Sequence, residues 1–247
     1  MRFGEFKQEL LEGVYDPGIF KAFFLAGGAG SGKSYSAEKA TGSAAGKFEW
    51  HPDMNKLRPG KTGPYGLKVV NSDEQLEYGL MKAEMSLNMR SYTDIETEKK
   101  EGIRAKAKKI TLKREQLWVH GRLGLIIDGT AKDLRKITMK RHKLHEVGYD
   151  SYMIFVNTSL DIALQQNSER SRKLLDEVIV KTWEEVQSVK QGLSNMFSNG
   201  FVEIINNRAG EDVYRKAFSE IGKIMKRPPS KPAAKMWIAR ELEQKKR

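Results

Sequence analysis

Cysteine is absent from the 247 residues. That removes a disulfide-stapled scaffold, a thiolate metal site and a cysteine nucleophile at once. Long apolar runs are missing too: none approaches the ~18 residues that a membrane-crossing helix needs, so no membrane partner is expected. The opening stretch MRFGEFKQELLEG carries acids and no apolar core, so it does not read as a secretory leader. These absences point to the cytoplasm. Histidine is scarce, at 4 residues. His120, His142 and His145 are scattered on helical stretches without an evident third ligand, so a metal centre made by protein ligands alone is not expected. No Ser/His/Asp arrangement suggests acyl transfer, and no internal repeat is present. Acids are outnumbered, 32 against 44 Lys plus Arg, which leaves a net charge of +12. Such an excess suits either a polyanionic partner, nucleotide or nucleic acid, or simply a soluble basic surface.

What is there reads as an alternation of strands and helices. Residues 1–20 form an amphipathic lead-in, with Phe3, Phe6, Leu10 and Leu11 at helical spacing. KAFFLA, residues 21–26, is an uninterrupted apolar strand, followed by glycines and a helix from about Lys33. Residues 51–66 hold three prolines and several glycines and read as loop. LKVVNSDE is a short strand, and residues 74–122 are helical with breaks near Tyr92 and Gly102. Strands at Leu123–Ile127, at YMIFVNTS and at FVEIINN alternate with further helices, and residues 227–235 form a proline-bearing linker before a terminal helix. Apolar strands separated by helices predict an α/β fold, a three-layer α/β/α sandwich with a mostly parallel sheet and a helical insertion. The domain spans 1–226, with the insertion over about 78–120 and a lid over about 165–175; residues 227–247 form the linker and tail. In such sheets ligands sit beyond the carboxyl ends of the strands.

The sharpest motif lies there. Gly27, Gly28, Ala29, Gly30, Ser31, Gly32, Lys33, Ser34 and Tyr35 follow the first strand and fit G-x-x-x-x-G-K-[ST] in full. Glycines let backbone N–H groups turn inward around a phosphate, and the helix that follows points its positive end at the same anion. Lys33 is placed to reach the β- and γ-phosphates and Ser34 to put a hydroxyl on Mg²⁺, so ATP and Mg²⁺ are the expected cofactors. Asp128 ends the run LGLIID and is either a second Mg²⁺ contact, a contact to the phosphoryl acceptor, or a helix cap; Thr130 and Lys132 follow on its loop. Asp73, past the strand KVV, is either a general base for an acceptor hydroxyl or a helix N-cap shared with Ser72. Arg170 and Arg172 in QQNSERSRKLL are either a lid that neutralises the transferring phosphate or a solvated helix face.

Taken in order, GGAGSGKS, VVNSDE, LIIDGT and GYDSYMIFVNTSLDIALQQNSERSR resemble the zeta-toxin-like and polynucleotide-kinase-like group of P-loop kinases across residues 22 to 207. GRLGLIIDGT also resembles phage-encoded kinases of this type, which would place the protein in a host cytoplasm. The resemblance implies a catalytic base at Asp73, a substrate or metal contact at Asp128 and Thr130, and lid arginines at Arg170 and Arg172. Two segments depart from the group's pattern: the loop before Asp73 and the basic helix over about 99–122. Both lie where an acceptor would bind.

That helix carries Lys99, Lys100, Arg104, Lys106, Lys108, Lys109, Lys113 and Arg114. It either tracks a nucleic-acid backbone or is a solvated face whose stems cover apolar surface; few aromatics are interleaved, so no base-stacking platform is indicated. Trp237 in the terminal segment suggests docking. The expected activity is transfer of the γ-phosphoryl of ATP to a hydroxyl or phosphate of a small molecule or nucleotide. The alternatives are a 5′-hydroxyl polynucleotide kinase, a nucleic-acid-stimulated ATPase, and a nucleotide-binding assembly protein whose tail docks a partner.

Overall fold

A computed structural model describes residues 13–45, 47–49, 56–58, 60–169, 172–208 and 210–246, with backbone alone for 47–49 and 56–58. The lead-in expected over residues 1–12 and the lid residue Arg170 lie outside these.

The alternation of apolar strand and amphipathic helix resolves into three layers. Strands β1 (Lys21–Ala26), β4 (Lys68–Val70), β5 (Leu125–Asp128), β6 (Asp150–Asn157) and β7 (Phe201–Ile205) form one five-stranded sheet in the order β4-β5-β1-β6-β7. Every pairing in it is parallel. β1 is central, which is why all six of its residues are buried and why it reads as a continuous apolar run rather than an alternating one.

Its side chains alternate between two cores. Ala22, Phe24 and Ala26 join the cluster with Val186, Leu193, Phe197 and Leu144. Phe23 and Leu25 join the cluster with Ala37, Ala40, Ile221 and Ile224. Those helices are α1 (Lys33–Thr41) and α7 (Glu211–Met225) on one face, and α4 (Leu134–Glu146) and α6 (Asp176–Phe197) on the other. Each fully buried Phe, Leu or Ile contributes roughly 1.5–3 kcal/mol relative to exposure.

Two further helices form the insertion. α2 (Asp73–Lys82) follows β4, and α3 (Asp94–His120) runs for 27 residues. α3 begins with a capping box, Thr93 and Glu96 each satisfying the other's backbone N–H. The break expected at Gly102 is not found. That glycine faces open space, and its cost of about 1 kcal/mol is offset by the cap and by strong helix formers on both sides. Ile103 and Ala107 on α3 pack with Leu76 and Leu80 on α2 and with Met85, Met89 and Leu174, giving the insertion its own small core. The break near Tyr92 is present as a short 3-10 turn, Met89–Ser91.

Residues 51–66 are not all loop. Lys56–Arg58 (β3) pairs antiparallel with Lys47–Glu49 (β2). Strands of three residues are too short to leave a periodic signature. The polar middle of the stretch after β6 separates α5 (Leu160–Glu169) from α6, and Lys173–Leu175 there is not helical.

The last helix, α8 (Pro232–Gln244), docks at the amino end of the sheet. Trp237 meets Phe20 edge-on with ring centroids 5.5 Å apart, and Ala234 is buried against Gly148. Asp150 accepts from the Ser230 N–H at 2.7 Å, and the buried Lys21 donates to Arg227 O at 2.5 Å, which fixes the linker. Trp237→Ala is expected to lower stability by about 2–3 kcal/mol, read as a fall in the urea midpoint at constant slope. An unchanged midpoint would show that the helix does not pack on the core.

Candidate phosphate-transfer site

Because all five strands run the same way, their carboxyl ends share one edge. Gly27 follows β1, Asn71 follows β4, Asp128 ends β5, Thr158 follows β6 and Asn206 follows β7. The site is assembled from these ends and the helices above them.

The loop Gly27–Gly32 turns tightly between β1 and α1. Gly30 has φ +80°, and a Cβ there would stand 2.3 Å from Ala163 O; Gly32 has φ +75°, and a Cβ would stand 2.4 Å from Asn206 Nδ2. Neither position admits a side chain. The loop is buttressed from outside. Asn206 donates to Ser31 O at 2.8 Å and accepts from the Tyr214 hydroxyl at 2.7 Å. The Ala29 N–H reaches Thr182 Oγ1 at 3.3 Å, and the Gly27 N–H reaches Thr130 O at 3.3 Å.

Inside the loop the donors are not used up. Among the described residues the N–H groups of Gly30, Gly32 and Ser34 have no protein acceptor, and the buried Ser31 hydroxyl has none either. Lys33 donates to Gly28 O at 2.8 Å, and Ser34 is exposed at the first turn of α1. Unpaired N–H groups, an orphaned buried hydroxyl and a helix amino end make a set of donors that fits a phosphate chain. Tyr35 is exposed and stands apart, its ring edge-on to Tyr214 at 5.6 Å under the Lys39 ammonium.

Beside this loop two carboxylates share one neighbourhood with opposite tuning. Asn71 joins them: its amide donates to Asp128 Oδ2 at 2.6 Å, and its oxygen accepts from the Asp73 N–H at 2.6 Å. Burial pushes Asp128 up to about 6, against the pull of Lys33 and with the push of Asp73's charge. Burial also opposes ionisation of Asp73, but the Arg172 guanidinium outweighs it, helped by Lys33 and Arg104, and the carboxyl stays below the usual range. Arg172 donates to Asp73 Oδ2 at 2.6 Å and approaches Glu77 at 3.6 Å. Asp73 is the first residue of α2 rather than its cap; Ser72 stands at the cap position without a side-chain cap bond, and Asn71 receives the Asp73 N–H.

The segment carrying Arg172 is fastened to the insertion. Leu174 exchanges two bonds with Asn167, Lys173 O accepts from the Met89 N–H at 3.1 Å, and Arg90 bonds Leu174 O and Asp176. Lys132 is turned to Glu185 at 2.6 Å, away from the carboxylates, and Thr130 contributes its carbonyl to the loop. Two histidines lie elsewhere: His145 bonds Ser151 at the start of β6, and His142 pairs with Glu146. No group of three or more His, Cys, Asp or Glu side chains able to hold a metal occurs among the described residues. A Mg²⁺ carried largely by phosphates needs only one or two protein ligands, and Ser34 and Asp128 are the groups of that chemistry at this edge.

Sequence reasoning passed over Asn71 and Asn206, although each is the first polar residue past a strand and the rule that picked out Asp73 also covers them. Thr182, Glu77 and the inward role of Arg104 depend on helix packing and left no local signal.

No family model and no curated protein matches the chain. Solved structures match by fold. One is a candidate kinase from Chloroflexus aurantiacus, at 10% identity, covering 82% of this chain and 96% of that one with a TM-score of 0.46. Another is the AvrRxo1-ORF1:-ORF2 complex, at 11% identity, covering 89% and 75% with a TM-score of 0.51. At such identity the second likeness is one of fold. No helix among the described residues is long and apolar enough to cross a membrane.

The raised Asp128 has a consequence for stability. Its folded value lies above its unfolded one, so its contribution is fully present below pH 4 and is lost as pH rises through about 6. Asp128→Asn removes that loss. The ligand-free variant is expected to be more stable than the parent by about 1–3 kcal/mol at pH 8, each pKa unit being worth ~1.4 kcal/mol, with the gain vanishing toward pH 4. Denaturant midpoints across this range check it; a gain of equal size at both ends would contradict the burial of an ionised group.

Proposed function

We propose that the protein is an ATP-dependent phosphotransferase of the P-loop kinase type, which moves the γ-phosphoryl of ATP to a hydroxyl or phosphate of a small molecule or nucleotide. The observation that carries this reading is the meeting of two chemistries at one edge: a loop whose Gly30, Gly32 and Ser34 N–H groups have no acceptor among the described residues, with Lys33, and beside it Asp73 held by Arg172. Lys33 acts electrostatically on both Asp73 and Asp128, so the two halves are within reach of one another.

In this reading the loop amides and Lys33 bind the phosphate chain and neutralise its charge. Ser34 and Asp128 would hold a Mg²⁺ ion, which would supply charge neutralisation on the phosphate chain. The acceptor oxygen attacks Pγ, the bond from Pγ to the bridging oxygen breaks, and ADP leaves. For a hydroxyl acceptor the proton passes to Asp73. Arg172 occupies Oδ2 of that carboxylate, which leaves Oδ1 for the hydroxyl. A carboxylate held low is a weak base, but it suffices where the transition state is loose and the proton leaves late. Arg172, with Arg170 beside it in sequence, spreads the charge developing on the phosphoryl group.

A 5′-hydroxyl polynucleotide kinase is the second reading, favoured by the exposed Lys106, Lys108, Lys109 and Lys113 along α3. Transfer of labelled γ-phosphoryl into nucleosides, nucleotides, amino sugars and oligonucleotides separates the two, with steep salt sensitivity expected for the oligonucleotide. Phosphate release without any acceptor, stimulated by DNA or RNA, would replace both with a nucleic-acid-stimulated ATPase.

Lys33→Ala is expected to cut transfer by about 10²–10³-fold with an unchanged circular dichroism spectrum; full activity would end the assignment. Asp73→Asn is expected to cut transfer by about 10²–10⁴-fold while ATP affinity, measured by calorimetry, holds. Equal loss of both would make Asp73 a structural residue.

A further inference from the structure

Arg104 belongs by sequence to a run of mostly exposed lysines, yet it is half-buried, its side chain 35% exposed. It lies one turn before Ala107, which is 2% exposed, and two turns before Thr111, whose hydroxyl reaches Asn71 O at 3.4 Å. That face of α3 is laid against the strand end that carries Asp73. Arg104 Nε is buried and has no hydrogen-bond acceptor among the described residues; the Glu101 carboxylate pairs with it by charge at 3.8 Å, beyond hydrogen-bonding range. Its charge is nevertheless felt by Asp73.

The neighbouring cations already have work. Arg172 is taken by Asp73 and Glu77, Arg90 by Leu174 O and Asp176, and Lys33 belongs to the donor loop. We propose that Arg104 binds the acceptor, and that the acceptor is a small molecule already bearing a phosphate, which Arg104 grips while the reacting group is presented to Asp73. This rests on the phosphotransferase reading above. A guanidinium with an unused, buried N–H is matched by a phosphate oxygen, to which it bonds as a fork; a neutral alcohol offers no counter-charge. The segment carrying Arg172 is tied to Met89 and Arg90, and its Leu174 packs with Ile103 and Ala107 of α3. A compact phosphomonoester asks for less open surface between these elements than an extended polynucleotide does.

The test uses the full chain, MgATP labelled at the γ-position, and acceptor pairs that differ only by a phosphate: thymidine and dTMP, adenosine and AMP, glucosamine and glucosamine 6-phosphate. The phosphorylated member of one pair is expected to win by about 100-fold in kcat/KM, and the winning pair separates a nucleotide from a sugar phosphate as the source. Arg104→Gln is expected to raise KM for that acceptor about 10- to 100-fold while KM for ATP stays put, and Arg104→Lys to recover part of the loss. Equal use of both members, an equal effect of Arg104→Gln on both, or preference for a 5′-hydroxyl oligonucleotide would overturn the proposal.

Binding is read separately from turnover. With saturating MgADP filling the donor loop, the phosphorylated compound is expected to raise the melting temperature of the parent and not of Arg104→Gln, while the neutral compound raises neither. The lack of any shift from all three phosphorylated compounds would refute it. If Lys33→Ala behaves as the parent and no acceptor is labelled, the phosphotransferase reading falls, and the thermal-shift arm still decides Arg104.

Discussion

The parallel register of β1 and β5 is the constraint on which the site depends. Leu25 stands opposite Asp128 and Phe24 opposite Ile127, so the end of one strand brings its carboxylate beside the glycine turn at the end of the other. β4 continues the row, with Val70 opposite Ile127. A slip of one residue would bury Asp128 in the sheet or swing it to the wrong face. Register in turn is enforced by the alternation of Phe23 and Phe24 into different cores. Packing deep in the molecule therefore sets the spacing of the polar groups at its edge.

Around that row, one amide organises two acids. Asn71 has a donor and an acceptor on a single rigid group, and it gives the donor to Asp128 and the acceptor to the backbone of Asp73. The carboxylates are left with different surroundings: Asp73 has the Arg172 guanidinium for a hydrogen-bond partner, whereas burial dominates at Asp128, which receives the Asn71 amide. Divergent environments for neighbouring acids are the usual way a protein assigns different tasks to the same functional group.

Much of this was legible in the chain. KAFFLA followed by glycines can hardly be anything but a buried strand leading into a tight turn, and VVNSDE and LIIDGT announce polar strand ends by the same logic. The layered architecture follows from such alternation. Local pattern cannot say which helix covers which strand end. Arg104 sits among lysines that look alike in sequence, and only the crossing of α3 over α2 turns it inward while Lys106 and Lys109 stay outside. Arg172 lies in a stretch of helix-forming composition, and the polar run SERSRK gives no hint that Lys173–Leu175 leaves the helix and is tied down by Asn167 and Arg90. Gly102 misled in the other direction, since a glycine stops a helix only where some other conformation is better.

The docking of α8 on Phe20 has a bearing on biogenesis. The residues that seal the base of the central strand are made more than two hundred positions after the strand itself. During translation the aromatic surface around Phe20 and Tyr149 must wait uncovered until Trp237 has left the ribosome. Native closure of this end is thus a late event in the life of the nascent polypeptide, and it is there that a chaperone binding exposed aromatic side chains would find its substrate.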